Sequence, residues 1–399
     1  MAKKFPSPTK RLQPLINLRN LKMAKSAHAY VRGNTASFYE WLKRSERTLP
    51  QGPKIWICGD CHVSNIGPVA DAEGHVEIQI RDLDQAVIGN PANDLIRLGL
   101  SLAMAARGSD LPGVVTAKLM EQLIVGYEQA LDEKAERAIR KRPESIQVVM
   151  RRAMRRKWKH LAAERIEGIE PNIPLSKKFW SISKDERLEL KALMATEQVR
   201  ALATSLSRRD SGDEVEMLDA AFWIKGCSSL GSLRYAVVLR VGKSKDPESS
   251  LCLLDIKEAS HSVAPPATQR LMPKNNAQRI IQGARHLAPY LGERMLAGRM
   301  QGKSVFLREL LPQDLKIDID RLSQDEAMEV AGYLGNVVGR AHAAQMKVAA
   351  RKQWLKELGR NRPKTIETPS WLWRSVVQLV QDHEGGYLEH CRRFANTAS

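Results

Sequence analysis

The chain has 399 residues, 43% hydrophobic and 27% charged, with a formal net charge of +18. That apolar content is enough for packed cores in one large two-lobed unit or a few domains, and it excludes wholesale disorder. The five cysteines (Cys58, Cys61, Cys227, Cys252, Cys391) are too few and uneven for a disulfide framework. No apolar run reaches the ~18 residues of a membrane span, and the basic N-terminus MAKKFPSPTKRLQPLINLRN lacks an apolar signal core, so a cytoplasmic protein is expected.

The first fifty residues read as short helices. Strand KIWIC follows, then a loop, then HVEIQIRDLD, where Val76, Ile78 and Ile80 alternate with Glu77, Gln79 and Arg81 as in a half-buried strand. The preceding DAEG suits a hairpin turn. From Asp94 the period becomes helical through Leu95, Leu98, Leu102 and Ala106, and the stretch from Thr116 to Leu131 repeats it. Residues 145–163 read as one basic helix with Val149, Ala153 and Trp158 on one face. Helix returns at 184–206, and the polar SRRDSGDE reads as a linker.

The segment FWIKGCSSLGSLRYAVVLRVGKSKDPESSLCLLDIKEAS reads as two or three strands, with Gly226 and Gly231 in the first turn. Helix NNAQRIIQGARHLAPYL, strand SVFLREL, helix SQDEAMEVAGYLGNVVGRAHAAQM and a mainly helical C-terminus complete the chain. Charge is uneven. Between Lys134 and Lys159 eleven Lys/Arg stand against Glu136 and Glu144, a net +9. A polyanion, nucleic acid included, is one partner for such a stretch. No nucleic-acid motif or interleaved aromatics accompany it, so a solvated helical face is the favoured reading.

The stretch WICGDCHVSNIG (56–67) poses the chemical question. Its C-x-x-C-H matches c-type haem attachment, and C-x-x-C also occurs in zinc and redox sites. Haem attachment requires export, zinc requires further ligands at matching spacing, and a redox pair usually opens a helix; none of these accompanies the motif. The same letters hold Gly59-Asp60-x-His62-x-x-Asn65, followed by a hairpin and Asp82-Leu83-Asp84. Magnesium-dependent phosphoryl transfer needs one carboxylate to orient and deprotonate an acceptor, plus an amide oxygen and a second carboxylate on the metal. The bland alternative is a polar turn with Asp and Asn as local caps.

The block GDCHVSNIGPVADAEGHVEIQIRDLDQAVIGNPANDLIRLG resembles the catalytic half of the aminoglycoside and choline phosphotransferases, small-molecule kinases of protein-kinase-like fold. The resemblance implies Asp60 as catalytic base, with His62 beside it. It implies Asn65 and Asp82 as magnesium ligands with Asp84 assisting, and Asp94 as the helix residue that braces the loop. Cys58 stands where those kinases usually carry His. Downstream, Gly226, Ser228, Ser229 and Gly231 form a turn able to cradle ATP phosphates, with Lys257 pairing to them. The ordinary alternative is a β-hairpin with a surface lysine. The helix position expected to hold an acid for the lysine is Gln282, which leaves Glu258 or another acid for that task and keeps a catalytically inactive, pseudokinase-like regulator open. Arg32 is a candidate phosphate or substrate contact, and His342 reads as a packing residue.

Taken whole, KMAKSAHAYVRG, WICGDCHVSNIG, LLDIKEA, QRIIQGAR, FLRELLPQD and GRAHA look like the bacterial domain-of-unknown-function family 2252. The expected fold is α+β: a two-lobed, protein-kinase-like fold in circularly permuted order with a helical insertion. Its parts are an N-terminal helical segment (1–50), the catalytic loop (51–110), a basic helical insertion (111–212), an N-lobe-like sheet (213–318) and C-lobe helices (319–399). Permutation is physically allowed where cuts fall in exposed loops. Expected ligands are ATP, Mg2+ and an unidentified acceptor, for which the basic segment makes an acidic substrate one option.

Overall fold

The computed structural model describes residues 5–108, 113–132, 142–166, 170–268, 270–317, 323–360, 362 and 368–394. Helices α1 (Leu12–Met23), α2 (Ala27–Gly33) and α3 (Thr35–Ser45) open the chain, followed by short strands β1 (Ile55–Ile57), β2 (Ile66–Ala70), β3 (Val76–Ile80) and β4 (Val87–Gly89). Next come α4 (Ala92–Gly108), α5 (Gly113–Leu131), α6 (Glu144–Met154), α7 (Trp158–Arg165), β5 (Phe179–Trp180), α8 (Lys184–Met194) and α9 (Glu197–Ala203). The main sheet is built from β6 (Val215–Trp223), β7 (Arg234–Val241), β8 (Leu251–Glu258), β9 (Met295–Met300) and β10 (Lys303–Leu310). Helix α10 (Pro247–Ser250) precedes β8, and α11 (Asn276–Leu287) and α12 (Pro289–Gly292) precede β9. Helices α13 (Gln324–Ala343), α14 (Val348–Leu358) and α15 (Ser370–Phe394) close the chain.

The fold is mixed α+β. β5 and β6–β10 form one antiparallel sheet in the order β5-β6-β7-β8-β10-β9, while β1 pairs with β4 and β2 with β3. The sheet is covered on both faces. Leu190, Met194, Val199 and Leu202 of α8 and α9 pack on one, and Trp158, Leu161 and Ala162 of α7 on the other. A second, larger core joins α3–α5 to α11, α13 and α14, so distant parts of the sequence share one interior.

Helices α5 and α13 approach at backbone distance. A Cβ on Gly335 would lie 2.1 Å from the Leu123 carbonyl oxygen, and one on Gly339 would lie 2.8 Å from that of Tyr127. The two glycines are four apart and therefore share one helix face. Gly335→Ala is expected to force the helices apart and cost about 1–3 kcal/mol. Gly385→Ala, at an open position of α15, should be neutral or slightly stabilising. Thermal melts of the two variants check this.

Several sequence expectations need correcting. The single helix expected over 145–163 is broken, because α6 ends on Arg155, whose N–H turns back to Arg151 O, and Trp158 N–H donates to Glu248 at 2.5 Å. The buried face of α6 is Ile146, Met150 and Ala153, with Val149 only half-buried. The helix expected over 184–206 restarts at Thr196, which caps α9. The polar linker is clamped. Arg209 is buried and donates to both oxygens of Glu309 at 2.8 and 3.0 Å and to Leu251 O at 2.9 Å. Strand β6 already begins at Val215. Of the basic run, Lys134, Arg137, Arg140 and Lys141 lie outside the described residues. Arg142, Arg151 and Arg156 are paired with Glu77, Glu144 and Glu164. Among the described residues no helix is long and apolar enough to cross a membrane.

Candidate active site

After β1 the chain turns sharply through residues 58–65. Gly59 has φ +74°, and a Cβ there would lie 2.2 Å from the Gln85 carbonyl oxygen, so the turn admits only glycine. Asp94, fully buried in the first turn of α4, accepts the backbone N–H of Cys58 at 2.7 Å and of Gly59 at 2.9 Å. His342 of α13 reaches Asp94 Oδ2 at 3.2 Å through Nε2, and its Nδ1 lies 2.9 Å from the Tyr127 hydroxyl. Trp354 Nε1 donates to that hydroxyl at 3.0 Å. The Asp94 carboxylate can only accept, so it takes the Nε2 proton of His342, and Nδ1 accepts from the Tyr127 hydroxyl, which in turn accepts from Trp354. The loop is thus held by a buried relay running through α4, α5, α13 and α14, and His342 belongs to that brace.

Asp60 is aimed by Arg97, which is fully buried and donates from Nε to Oδ1 at 2.8 Å while its Nη2 donates to Val31 O at 2.8 Å. Asn65 Nδ2 donates to the Asp60 carbonyl at 3.0 Å, which leaves Oδ1 as its ligand-type atom. His62 Nε2 lies 3.9 Å from Asp60 Oδ2. Burial, then Arg32 and Arg97, hold His62 well below its usual pKa, so it is neutral near pH 7. The two thiols of the C-x-x-C are fully buried, and the Cys58 thiol is pushed well above its usual pKa by its hydrogen bond to Cys61 and by burial. They are packing groups beside the loop.

Lys257 lies on β8 with Asp255 two residues earlier, hence on the same face. The register sets Arg234 opposite Lys257 and Arg308 opposite Asp255. Asp255 is therefore consumed by Arg234, at 2.8 and 2.5 Å, and by Arg308 at 3.4 Å. Lys257 makes a close ion pair with Asp84 and stands 3.9 Å from Asp82 Oδ1. Burial would raise Asp82, but Lys257 and Arg308 hold it well below the carboxylate range. Burial and the Asp82 charge push Asp84 up to about 6.

Gly226 (φ +86°) and Gly231 (φ +109°) shape the turn between β6 and β7. Asp60, Asn65, Asp82, Asp84, Lys257, Ser228 and Ser229 line one cleft of about 60 Å3, joined by Thr35, Ser232 and Glu258. Gln282 does not reach it. It is exposed, and α11 instead turns buried Arg279 inward, donating to Ala86 O at 2.6 Å and Asp84 O at 2.8 Å. The acid that neutralises Lys257 is Asp84; Glu258 is held by Lys303 and by Leu233 N–H. Arg32 sits on α2 near enough to His62 to lower its pKa.

Residues 11–393 match the family described as an uncharacterized protein conserved in bacteria, DUF2252. The chain belongs to that family. No curated protein and no solved structure matches it. The DUF2252 match spans every residue placed in the cleft and the relay behind it. Of these, Arg97, Arg279, Tyr127, Trp354 and Thr35 were not singled out from sequence. Arg97 carried a usable signal, because it is a charge inside the otherwise apolar run Leu95-Ile96-x-Leu98 and a buried charge needs a partner.

Proposed function

We propose that this DUF2252 protein is an ATP- and magnesium-dependent phosphotransferase of kinase-like architecture in circularly permuted order. The observation that carries this reading is the convergence of Asp60 and Asn65, Asp82 and Asp84, Ser228 and Ser229, and Lys257, from four separated segments, on one cleft. Kinases combine a glycine-rich turn, a lysine on the third strand, a helix after it, and an Asp and Asn on magnesium. Here β6–β7 carry the turn, β8 the lysine, and α11 follows, while the Asp-Asn loop comes earlier in the chain.

Asp60 aligns and deprotonates the acceptor. Asn65, Asp82 and Asp84 offer the hard oxygen set that magnesium takes. In this reading phosphates reach Lys257 by exchanging with its ion-pair partner Asp84, on the side lined by Ser228, Ser229 and Ser232. The sheet face beyond Asp255 is filled by Trp158 and Leu161 of α7, so the nucleotide base does not lie there. The inactive-regulator alternative is suggested by Gln282 in place of an acid for Lys257, and Gln282 is exposed.

The test is incubation of the protein with Mg·ATP and a bacterial metabolite extract, followed by mass spectrometry for transferred phosphate or AMP. A gain of phosphate on one metabolite is expected. The absence of both ATP consumption and a magnesium-dependent thermal shift would overturn the reading.

The Asp84 pKa gives a second test. Below pH 6 Asp84 is protonated and loses its charge for the metal. Magnesium affinity, measured calorimetrically with a non-hydrolysable ATP analogue, is expected to fall from pH 7 to 5, approaching tenfold per pH unit for one competing proton. Asp84→Asn should be weak and nearly pH-independent. A flat wild-type profile would remove Asp84 from the metal site.

A further inference from the structure

We infer that a cavity formed by the ends of α3 and α14 and the start of α15 is a second small-molecule site, for a phosphate ester of a sugar, either free or within a nucleotide. It shares no lining residue with the Asp60 cleft, so the inference does not rest on the phosphotransferase reading.

The cavity has a volume of about 520 Å3. Small-molecule sites span about 300–1,000 Å3, so the space exceeds a single phosphate group and suits a metabolite. Its walls are helix faces. Trp41, Arg44 and Ser45 stand at helical spacing on α3, as do Ser370, Arg374 and Gln378 on α15, so each set shares one face. Glu357 and Arg360 come from the end of α14 and the turn after it, and the chain from Arg47 to Pro50 closes the remaining side.

The floor is apolar and fixed. Trp41, Leu49 and Trp371 are buried. Trp371 Nε1 donates to Leu358 O at 3.4 Å, which ties α15 to α14, and the Trp41 ring stacks on Phe38 with centroids 6.5 Å apart. Trp41 Nε1 is buried with no acceptor among the described residues, an orphaned donor in the wall of the recess.

The rim is cationic. Arg44, Arg47, Arg360 and Arg374 are exposed and line it, and among the described residues Glu357 is the one carboxylate that does so. Glu357 lies 3.6 Å from Arg360, and Asp382 lies 3.8 Å from Arg44. Both pairs are long and solvent-screened, hence weak. Arg47 and Arg374 have no ion pair among the described residues; Arg374 reaches Ser370 Oγ at 3.4 Å. Two guanidinium forks therefore stand open after the nearby acids are counted. Ser370 and Trp371 also begin a 25-residue helix, whose N-terminal end adds positive potential.

This arrangement selects a ligand by its parts. Guanidinium forks match phosphate oxygens with paired N–H groups. Glu357 repels phosphate and accepts from hydroxyls, so the ligand carries hydroxyl donors away from its phosphate. The surfaces of Trp41, Trp371 and Pro50 suit the face of a ring. A phosphorylated sugar meets these demands, and a nucleotide meets them with a base for the indole floor.

The probes are ribose 5-phosphate, AMP, GMP and pyrophosphate, titrated calorimetrically into the full chain with chelator present, which keeps magnesium out of the Asp60 cleft. The esters are expected to bind, and pyrophosphate to bind more weakly. Arg47→Ala and Arg374→Ala should each weaken ester binding about tenfold or more, the usual loss for one charge-assisted contact. Both side chains are exposed, so the melting temperature should stay at the wild-type value. Lys257→Ala should bind the esters as wild type does. Tighter binding of a nucleotide than of ribose 5-phosphate would seat its base on the indole floor, and equal affinity would make the free sugar phosphate sufficient; either supports the site. No ester binding to wild type, unchanged binding in both arginine variants, pyrophosphate bound tightest, or loss of binding in Lys257→Ala would overturn it; the last would place the probes in the Asp60 cleft.

Discussion

Asp60→Asn is expected to lower transfer about 10²–10⁴-fold, the usual cost of losing a general base, while Mg·ATP binding is retained. The choice of asparagine follows from Arg97. That guanidinium is fully buried and holds Asp60 Oδ1 at 2.8 Å. Alanine would leave it facing an empty space, and breaking a buried ion pair costs about 3–5 kcal/mol. Lost activity in Asp60→Ala would then be confounded with unfolding. Asparagine keeps an oxygen for Arg97 and removes only the charge and basicity. Initial rates and the Mg·ATP thermal shift should therefore separate, with the rate collapsing and the shift unchanged. Equal rates in wild type and Asp60→Asn would remove Asp60 from the chemistry.

Much of this candidate site is legible in the sequence. Asp60, Asn65, Asp82 and Lys257 stood out because their chemistry depends on residue type at fixed spacing, and spacing survives in one dimension. Asp94 was also readable, since a carboxylate at a helix start near a turn has N–H groups to accept. The helix-facing prediction failed at Gln282. A 3.6-residue period decides which residues share a face but not which way that face turns, and Arg279, three residues earlier, took the inward position. Strand β9 was missed for a different reason. Its hairpin turn is Gln301-Gly302, with φ of 51° and 71°, and Gln is an uncommon residue in that conformation. The basic run was read as a unit, but Arg142, Arg151 and Arg156 of it are spent on ion pairs with Glu77, Glu144 and Glu164.

Asp94→Ala is expected to be the most destabilising single change near the site. It would strip the acceptor from the Cys58 N–H, the Gly59 N–H and His342 Nε2, all buried. Each buried donor left unmade costs about 1–3 kcal/mol, so the sum is about 3–5 kcal/mol after relaxation. Asp94→Asn should be nearly as severe. Its oxygen at the Oδ2 position could still serve the Cys58 N–H and His342 Nε2, but its NH2 would then face the Gly59 N–H. Because Asp94 touches no reactant, it acts as a positioning residue, and its loss should lower the rate through the loop rather than through proton transfer. A pH–rate profile of Asp94→Asn should thus keep the wild-type shape at reduced height, whereas the Asp60→Asn profile should lose the limb set by the base. Urea denaturation supplies the second readout. The double variant Asp94→Ala/His342→Ala should be destabilised by less than the sum of the singles, because removing both partners leaves fewer orphaned groups. Strict additivity would show that the relay from Trp354 through Tyr127 and His342 does not hold the loop as one unit.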